Sequence, residues 1–293
     1  MNNEQLSNIL NQNDVNKILK QVKKTFSYYY LPKYFKRISD EFKLVAKLFN
    51  GKFTGYKGCN TRYHDLKHTV DTVFAISRLM DGYNIKNENI PVKIVINLLS
   101  AGLLHDTGYI QKTWDKDGTG AKYTKIHVKR SNDFVLENYK TFKLEMDDVI
   151  MIKRFISCSG ITADIKSIDF QNDLEKTCGA ILGTADLMGQ MADRVYLEKL
   201  LFLYYEFREA GIAGYNTEFD IIQKTVDFYN ITKERFSKEL LNIHKYARYH
   251  FLKRYGVDKN LYIDSINNNI AYVNKIIKDD STNFRTKLHR VSV

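Results

Sequence analysis

Proline is almost absent from this chain, and that scarcity limits the folds that the sequence can adopt. The 293 residues contain only two prolines, Pro32 and Pro91. Because proline breaks helices, a chain that seldom uses it can form long helices almost anywhere. Apolar residues also recur at helical spacing in most segments. The sequence therefore predicts an all-α protein.

The helical pattern divides the chain into segments that are separated by polar loops. The predicted helices are 4–27, a second one that ends near Leu48, 64–80, 90–110, 125–139, 146–157, 173–189, 191–209 and two or three more within 215–280. We find no internal repeat, low-complexity tract or linker in the sequence. We therefore predict a single all-α domain over residues 1–293, with helical additions at both ends of a central core.

Composition is typical of a globular protein of the cytosol. Hydrophobic residues make up 44% of the chain and charged residues 27%. The cysteines, Cys59, Cys158 and Cys178, are odd in number and lack paired spacing, so we predict a reducing cytoplasmic environment. The first residues lack the apolar core of a signal peptide, and no apolar run approaches about 18 residues. We therefore expect no membrane partner.

The chain is basic, with a formal net charge of +11. Such a charge can attract an anionic partner, but here the charges are dispersed in a chain rich in Lys, Asn, Ile and Tyr. The segment HKYARYHFLKRYG (244–256) combines basic and aromatic residues, as nucleic-acid-binding helices do. We favour a packed amphipathic helix with exposed Lys and Arg. Nucleic-acid binding is the weaker alternative.

Two histidines lie four residues apart in the segment TRYHDLKHTVDTV (61–73). A helix turns about 100° per residue, so His64 and His68 are expected to point the same way. Two imidazoles on one face can meet a small ligand or a metal ion. A pair at this spacing is only suggestive, because a histidine in a buried helix is more often a hydrogen-bonded core residue.

Two further polar sites interrupt apolar helical segments. The segment IPVKIVINLLSAGLLHDTGYI (90–110) contains His105 and Asp106, and GTADLMGQMAD (183–193) contains Asp186. Buried polar side chains are costly unless they are paired, and a metal ion would pair them. Together with His68 they form a nitrogen and oxygen ligand set from three helices, which suits Zn, Mn, Fe or Mg. Asp106 has two oxygens and can bridge two metal ions, an arrangement that hydrolyses phosphate esters.

The order H…HD…D resembles the HD-domain metal-dependent phosphohydrolase superfamily. More narrowly, YHDLKHTVDTV, AGLLHDTGY and TADLMGQ are similar to the catalytic core of the cyclic nucleotide phosphodiesterases and their bacterial relatives, over about residues 60–210. The resemblance implies an HD-domain helical bundle with one or two divalent ions (Mn, Mg, Zn or Fe). It also implies a nucleotide-like phosphoester substrate, a cyclic nucleotide included, that is hydrolysed by metal-activated water. The chain departs from the phosphodiesterase pattern at Asp65, where asparagine is usual.

The resemblance also implies a role for each matched residue. The first metal ion would be bound by His68, His105, Asp106 and Asp186. Asp106 would reach the second ion as well. His64 matches the histidine that protonates the leaving oxygen, a role that suits a side chain titrating near neutral pH. His64 and Asp106 are therefore the expected catalytic residues.

Three more residues are candidates for contact with a second metal ion or with substrate. Many HD proteins carry a histidine near the position of His127. Lys129 could bind a phosphate from the same turn. Alternatively, both side chains lie on a solvent-exposed face of the helix and have no role in the site. The phosphodiesterases read a purine with a glutamine, and by our alignment Ala210 stands in its place. A purine substrate is therefore not assured, and Gln190 or Gln223 could substitute.

Alternative functions stay open at this point. Within enzymes, the rival is a nucleotide phosphomonoesterase or a nucleoside-triphosphate hydrolase, although no clear Arg and Lys cluster lies near the motifs. A non-catalytic HD module that senses a nucleotide or a protein is a second rival, and the intact ligand set argues against it. Fold analogy does not identify the substrate. The sequence also leaves the oligomeric state open, a homo-oligomer included.

Overall fold

The computed structural model describes residue 6 and residues 14–160, 163–279, 281 and 283–288. The regular structure of these residues is helical: they form eleven α-helices and no β-strand, with an isolated antiparallel bridge between Tyr56 and Lys112. The predicted all-α class is confirmed. No helix in this part of the chain combines the length and the apolar character that crossing a membrane requires.

Eleven helices follow one another with short connections. They are α1 (Val15–Phe26), α2 (Lys36–Phe49), α3 (Leu66–Lys86), α4 (Val92–Leu104), α5 (His127–Asn138), α6 (Met146–Ile156), α7 (Asp173–Met191), α8 (Tyr196–Glu209), α9 (Glu218–Lys238), α10 (Tyr246–Tyr255) and α11 (Leu261–Lys278). Single turns of 3₁₀ helix lie between several of them, including Thr107–Tyr109 after α4 and Gly120–Tyr123 before α5.

The predicted helices agree with the structure in order, and differ at several ends. The predicted first helix is present from Val15 to Phe26, while residues 4, 5 and 7–13 of that prediction lie outside the described residues. The predicted helix over 90–110 ends earlier, at Leu104. The tail contains three helices, α9 to α11. Apolar periodicity identifies the buried face of a helix, but the end of a helix depends on local capping.

Helix α3 lies at the centre of the molecule. It packs against α1, α4, α7 and α10, and side chains all around it are buried. A helix that is enclosed on every side has no solvent face, so its polar residues need partners inside the protein. The buried polar residues of α3 that have such partners include His68 in its first turn and Asp81 near its last turn. The first of these belongs to the candidate site described below.

Asp81 explains the basic and aromatic segment near the C-terminus. Its buried carboxylate accepts hydrogen bonds from Arg254 Nη2 (2.6 Å), from His250 Nδ1 (2.7 Å) and from the Tyr29 hydroxyl (2.8 Å). Burial lowers the pKa of His250 to about 4, so its imidazole is neutral and donates from Nδ1. Arg248 forms a two-pronged pair with Asp258. Arg248 and Arg254 of this segment therefore form ion pairs with carboxylates of the same protein, as expected for a packed helix.

Helices α3 and α10 touch through their backbones at Gly82. A Cβ atom at this position would lie 1.9 Å from the carbonyl oxygen of Tyr246. Such a contact is far inside van der Waals distance, and the Tyr246 oxygen belongs to a helix backbone that cannot rotate away. Only glycine therefore allows α3 and α10 to approach this closely.

We predict that Gly82→Ala lowers the free energy of unfolding by about 1–3 kcal/mol or more, because the added methyl group forces two packed helices apart. Gly189→Ala on α7 is the matched control: the nearest atom to its Cβ would be 3.7 Å away. There the better helix propensity of alanine should stabilise the protein by up to about 1 kcal/mol. Urea denaturation followed by circular dichroism measures both, and equal midpoints for the two variants would contradict the prediction.

Candidate metal centre

The site begins at the first residues of α3. Asp65 is the N-cap of this helix, and its side chain accepts a hydrogen bond from the backbone N–H of His68 at 2.8 Å. Aspartate is a strong N-cap residue, so it favours a helix start at this point. Because α3 begins at Leu66, His64 precedes the helix. The prediction that His64 and His68 share a helical face is therefore wrong, although both reach the same site.

Four side chains from separate parts of the chain meet at one buried point. His68 lies in the first turn of α3, His105 and Asp106 follow the end of α4, and Asp186 lies on α7. The Nε2 atom of His68 is 3.2 Å from Asp106 Oδ2 and 3.3 Å from Asp186 Oδ1. The Nε2 atom of His105 is 3.3 Å from Asp106 Oδ2 and 3.7 Å from Asp186 Oδ1. The structure thus brings all four predicted ligands together.

The spacing of these atoms suits ligands around one cation. Ligand atoms bound about 2.0–2.2 Å from a single metal ion lie roughly 3.0–3.5 Å apart. Asp106 Oδ2 is buried and accepts no hydrogen bond of good geometry, although the imidazoles of His68 and His105 are close to it. A buried oxygen without a hydrogen bond is costly, and a bound cation would remove that cost. The group His68, His105 and Asp106 can therefore hold a metal ion.

Neighbouring groups orient two of these ligands. His105 donates from Nδ1 to the carbonyl oxygen of Gly102 at 2.9 Å, which fixes the ring with Nε2 facing the site. Gln190 donates to Asp186 Oδ1 at 2.6 Å, and its own oxygen accepts from the Tyr63 hydroxyl at 2.9 Å. The amide of Gln190, a predicted substrate contact, thus already has partners at both ends and holds a ligand in place.

Opposite charges perturb the titration of all four groups. Burial lowers the pKa of His68, but the nearby carboxylates of Asp106 and Asp186 outweigh burial and raise this pKa to about 9. The same two carboxylates raise the pKa of His105 against burial. Burial raises the pKa of each carboxyl group, yet the two imidazoles hold the pKa of Asp106 and of Asp186 well below the usual range. Without a metal ion, proton binding by the imidazoles can therefore balance part of this negative charge.

The second oxygen of Asp106 faces His127, the first residue of α5. The distance from Asp106 Oδ1 to His127 Nε2 is 4.0 Å, and His127 Nδ1 donates to the carbonyl oxygen of Thr124 at 2.7 Å. Burial lowers the pKa of His127, so its Nε2 carries a lone pair. Gly108 makes this approach possible, because a Cβ there would lie 2.0 Å from the backbone oxygen of His127.

His64 is held by a carboxylate from a distant part of the sequence. Its Nδ1 atom lies 2.6 Å from Oε2 of Glu206 in the last turn of α8, and the other Glu206 oxygen accepts from the Tyr63 backbone N–H at 2.7 Å. The His64 ring stacks on Tyr109, with centroids 4.3 Å apart. Glu206 was not predicted from the sequence. The available signal was a single carboxylate among the aromatic residues of FLYYEF (202–207).

A cavity of about 600 Å³ opens beside these groups. Its polar end includes His64, Asp106, His127 and Asp186. Its apolar walls come from α8, α9 and the loop between them, namely Tyr196, Leu200, Leu203, Phe207, Ile212, Tyr215, Ile221 and Phe228. Such a cavity, mostly apolar with a few convergent polar groups, is typical of a small-molecule site.

Other candidates from the sequence lie apart from this cavity. Lys129 is exposed on α5 and pairs with Asp133 at 2.7 Å, so the structure does not bring it to the site. Ala210 is the C-cap residue of α8, and Gln223 is exposed on α9. The side chain of Arg130 donates to the backbone oxygens of Gly108 and Ile110, where it supports the turn after α4.

The loop before α5 forms one border of the site and contains its own ion pair. Lys122 Nζ lies 2.6 Å from Asp115 Oδ1 and 2.6 Å from the backbone oxygen of Asp117. Gln111 donates to the backbone oxygen of Asp117 at 2.9 Å. The ammonium group of Lys122 is therefore held by oxygen atoms of this loop.

One comparison with known proteins gives a match. A family model described as Npun_R2479-like matches residues 112–249, slightly less than half of the chain. The matched stretch contains His127, Asp186 and Glu206, and it begins after His68, His105 and Asp106. No curated protein matches the chain.

We predict that Asp106→Asn weakens Mn²⁺ binding by at least about 100-fold. Loss of an outer partner of a ligand already costs about 10–100-fold, and this change removes a charged ligand that faces both imidazoles. Asp133→Asn, on the exposed pair with Lys129, is the control and should bind Mn²⁺ like the unaltered chain. Isothermal titration calorimetry measures both. Equal affinity in the two variants would place the metal elsewhere.

We also predict that metal binding releases protons and tightens as the pH rises. The pKa of His68 is about 9 in the metal-free protein, so at neutral pH a proton must leave before Nε2 can bind a metal ion. Apparent affinity should rise roughly tenfold per pH unit for each proton released, between about pH 6 and pH 8. Titrations in buffers of different ionisation enthalpy count the protons. Binding without proton release would contradict the assigned ligand set.

Proposed function

We propose that this protein is an HD-domain metal-dependent phosphohydrolase, and that it is a phosphodiesterase acting on a nucleotide-like phosphoester. The observation that carries the proposal is the buried meeting point of His68, His105, Asp106 and Asp186 at the polar end of the cavity. The order of the three motifs in the sequence supports the same family. Hydrolysis of a cyclic nucleotide is the narrowest form of the proposal.

The side chains suit one or two divalent cations. The first would be held by His68, His105, Asp106 and Asp186, and a second by Asp106 and His127. When bound, such ions activate water and neutralise charge on a phosphoryl group. Asp106 is the only one of these residues that faces both positions, with Oδ2 towards the imidazoles of His68 and His105 and Oδ1 towards His127. We therefore expect Asp106 to be the least replaceable residue of the site.

We assign proton transfer to His64. Its Nδ1 atom is paired with Glu206, so Nε2, which lies 3.4 Å from the Tyr109 hydroxyl, is the nitrogen that can serve a ligand in the cavity. When His64 is protonated, Nε2–H can donate to the leaving oxygen while the carboxylate of Glu206 stabilises the imidazolium ion. Stacking on Tyr109 fixes the plane of the ring. Glu206 is thus a positioning residue, and His64 is the general acid.

The cavity beside the metal ligands suits the organic part of a nucleotide-like substrate. Its volume of about 600 Å³ exceeds what a phosphate group alone needs, and its walls are aromatic and aliphatic. A base or sugar could pack against α8 and α9 while the phosphoester lies at the polar end. The amide of Gln190 is engaged with Asp186 and Tyr63, so recognition in this cavity would depend on shape more than on an amide contact with a base.

The first test is hydrolysis of bis(p-nitrophenyl) phosphate by metal-stripped protein, with Mn²⁺, Mg²⁺, Zn²⁺, Fe²⁺ or no metal added. We expect turnover to return with at least one metal, to be absent in Asp106→Ala and to persist in Asp133→Ala. Full activity in Asp106→Ala would defeat the proposal. Turnover of monoesters alone would favour a phosphomonoesterase, and binding without turnover would favour a sensor.

The role of His64 predicts a dependence on the leaving group. His64→Asn should lower kcat by about 10²–10⁴ for an ester with an alkoxide leaving group, such as a cyclic nucleotide, because that oxygen needs a proton. The loss should be much smaller for bis(p-nitrophenyl) phosphate, since p-nitrophenolate leaves without protonation. Mn²⁺ affinity should not change. An equal loss with both substrates would exclude His64 as the general acid.

A further inference from the structure

Two lysines line the cavity and have no role in the site described so far. Lys125 immediately follows Thr124, the residue that orients His127, and Lys224 lies on α9 beside the cavity residues Ile221 and Thr225. Both residues are exposed. They therefore bring two positive charges to a cavity whose other charged groups are the carboxylates at the metal centre.

Both ammonium groups bind the same loop, which connects α8 and α9. Lys125 Nζ donates to the backbone oxygen of Gly211 at 2.8 Å, and Lys224 Nζ donates to the backbone oxygen of Gly214. These glycines are three residues apart, so their separation is at most ~11 Å. Ile212 and Tyr215 of this loop line the cavity. The two positive charges thus lie along one wall.

Neither ammonium group forms a close ion pair. Lys224 Nζ lies 4.8 Å from the centre of the Tyr215 ring, which is a further favourable contact on the same wall. In the part of the chain that the structure describes, no carboxylate forms an ion pair with Lys125 or Lys224, whereas Lys122 and Lys129 each have one. Asp220, one turn before Lys224, instead accepts hydrogen bonds from Thr217 at the start of α9. A lysine has three N–H donors, and a single carbonyl oxygen uses one of them. Each lysine can therefore still bind an anion.

We propose that Lys125 and Lys224 form a second anion site, and that the substrate carries a second anionic group, such as a phosphate, besides the phosphoester that is hydrolysed. This inference rests on the proposed function for the identity of the reacting group. The reacting phosphoester lies at the metal centre, the organic part packs on the apolar walls, and the second anion lies against the loop between α8 and α9. The lysines then select doubly anionic substrates over singly anionic ones.

Two matched ligands test this proposal without requiring turnover. Thymidine 3′,5′-bisphosphate and thymidine 5′-monophosphate differ only in the second phosphate, and their binding to the Mn²⁺-loaded protein is measured by calorimetry. We expect the bisphosphate to bind about tenfold more tightly, which is the size of effect that two exposed ion pairs give. The preference should disappear in K125M/K224M, return in K125R/K224R and weaken at high salt.

The control variant is K129M/K233M. It removes the same charge from residues on α5 and α9 that lie apart from the cavity: Lys129 pairs with Asp133, and Lys233 lies over the Tyr229 ring. This variant should keep the preference. Absence of a preference in the unaltered chain, or its persistence in K125M/K224M, would overturn the proposal. So would an equal loss of affinity for both ligands in K125M/K224M, because that result means the lysines only hold the loop.

A hydrolysis assay separates this inference from the proposed function. The two probes are thymidine 5′-(p-nitrophenyl phosphate) and the same ester with a 3′-phosphate. A lower KM for the doubly anionic ester, dependent on Lys125 and Lys224, supports both proposals. A lysine-dependent binding preference without any hydrolysis supports the anion site and contradicts the enzyme. Hydrolysis of both esters with equal KM supports the enzyme and overturns the anion site.

Discussion

The centre of the molecule depends on a balance of charge at one buried point. Asp106 and Asp186 are buried next to His68 and His105, and neither carboxylate could be ionised there without positive charge at the same point. Protons on the imidazoles or a metal ion can supply that charge. Because the four residues belong to α3, the turn after α4, and α7, the same balance also holds three parts of the core together.

The fold class and the members of the charged cluster could be predicted because both leave local marks in the sequence. Scarce proline and apolar periodicity indicate helices over long stretches. His105, Asp106 and Asp186 interrupt segments that are otherwise apolar, and an uncompensated polar residue is rare in such a place. Periodicity could not show where α3 starts. The start depends on the hydrogen bond that the backbone N–H of His68 donates to the Asp65 side chain, and His64 therefore lies outside the helix.

The partners of His64 could not be predicted because they are distant in sequence. Glu206 lies 142 residues after His64 in the sequence, and its place among the aromatic residues of FLYYEF was a weak signal that did not point to His64. The same holds for Lys125 and Lys224, whose importance arises from the loop that both contact. Lys129 shows the opposite case: it lies in the same turn as candidate residues, yet its helix directs it to solvent. Closeness in sequence to a site residue therefore did not predict which residues line the cavity.

The positive charge in the loop around Asp115 belongs to the chain itself. Lys122 supplies the positive charge at the centre of that loop from within the chain itself, and its ammonium group binds Asp115 and the backbone of Asp117. A cation that is covalently part of the chain cannot be lost to a chelator or exchanged for another ion. This loop, which contributes Thr124 and Lys125 to the cavity, therefore has a fixed positive charge beside it. A metal ion held by His68, His105 and Asp106 would be exchangeable, so the two positive charges would differ in their response to a chelator.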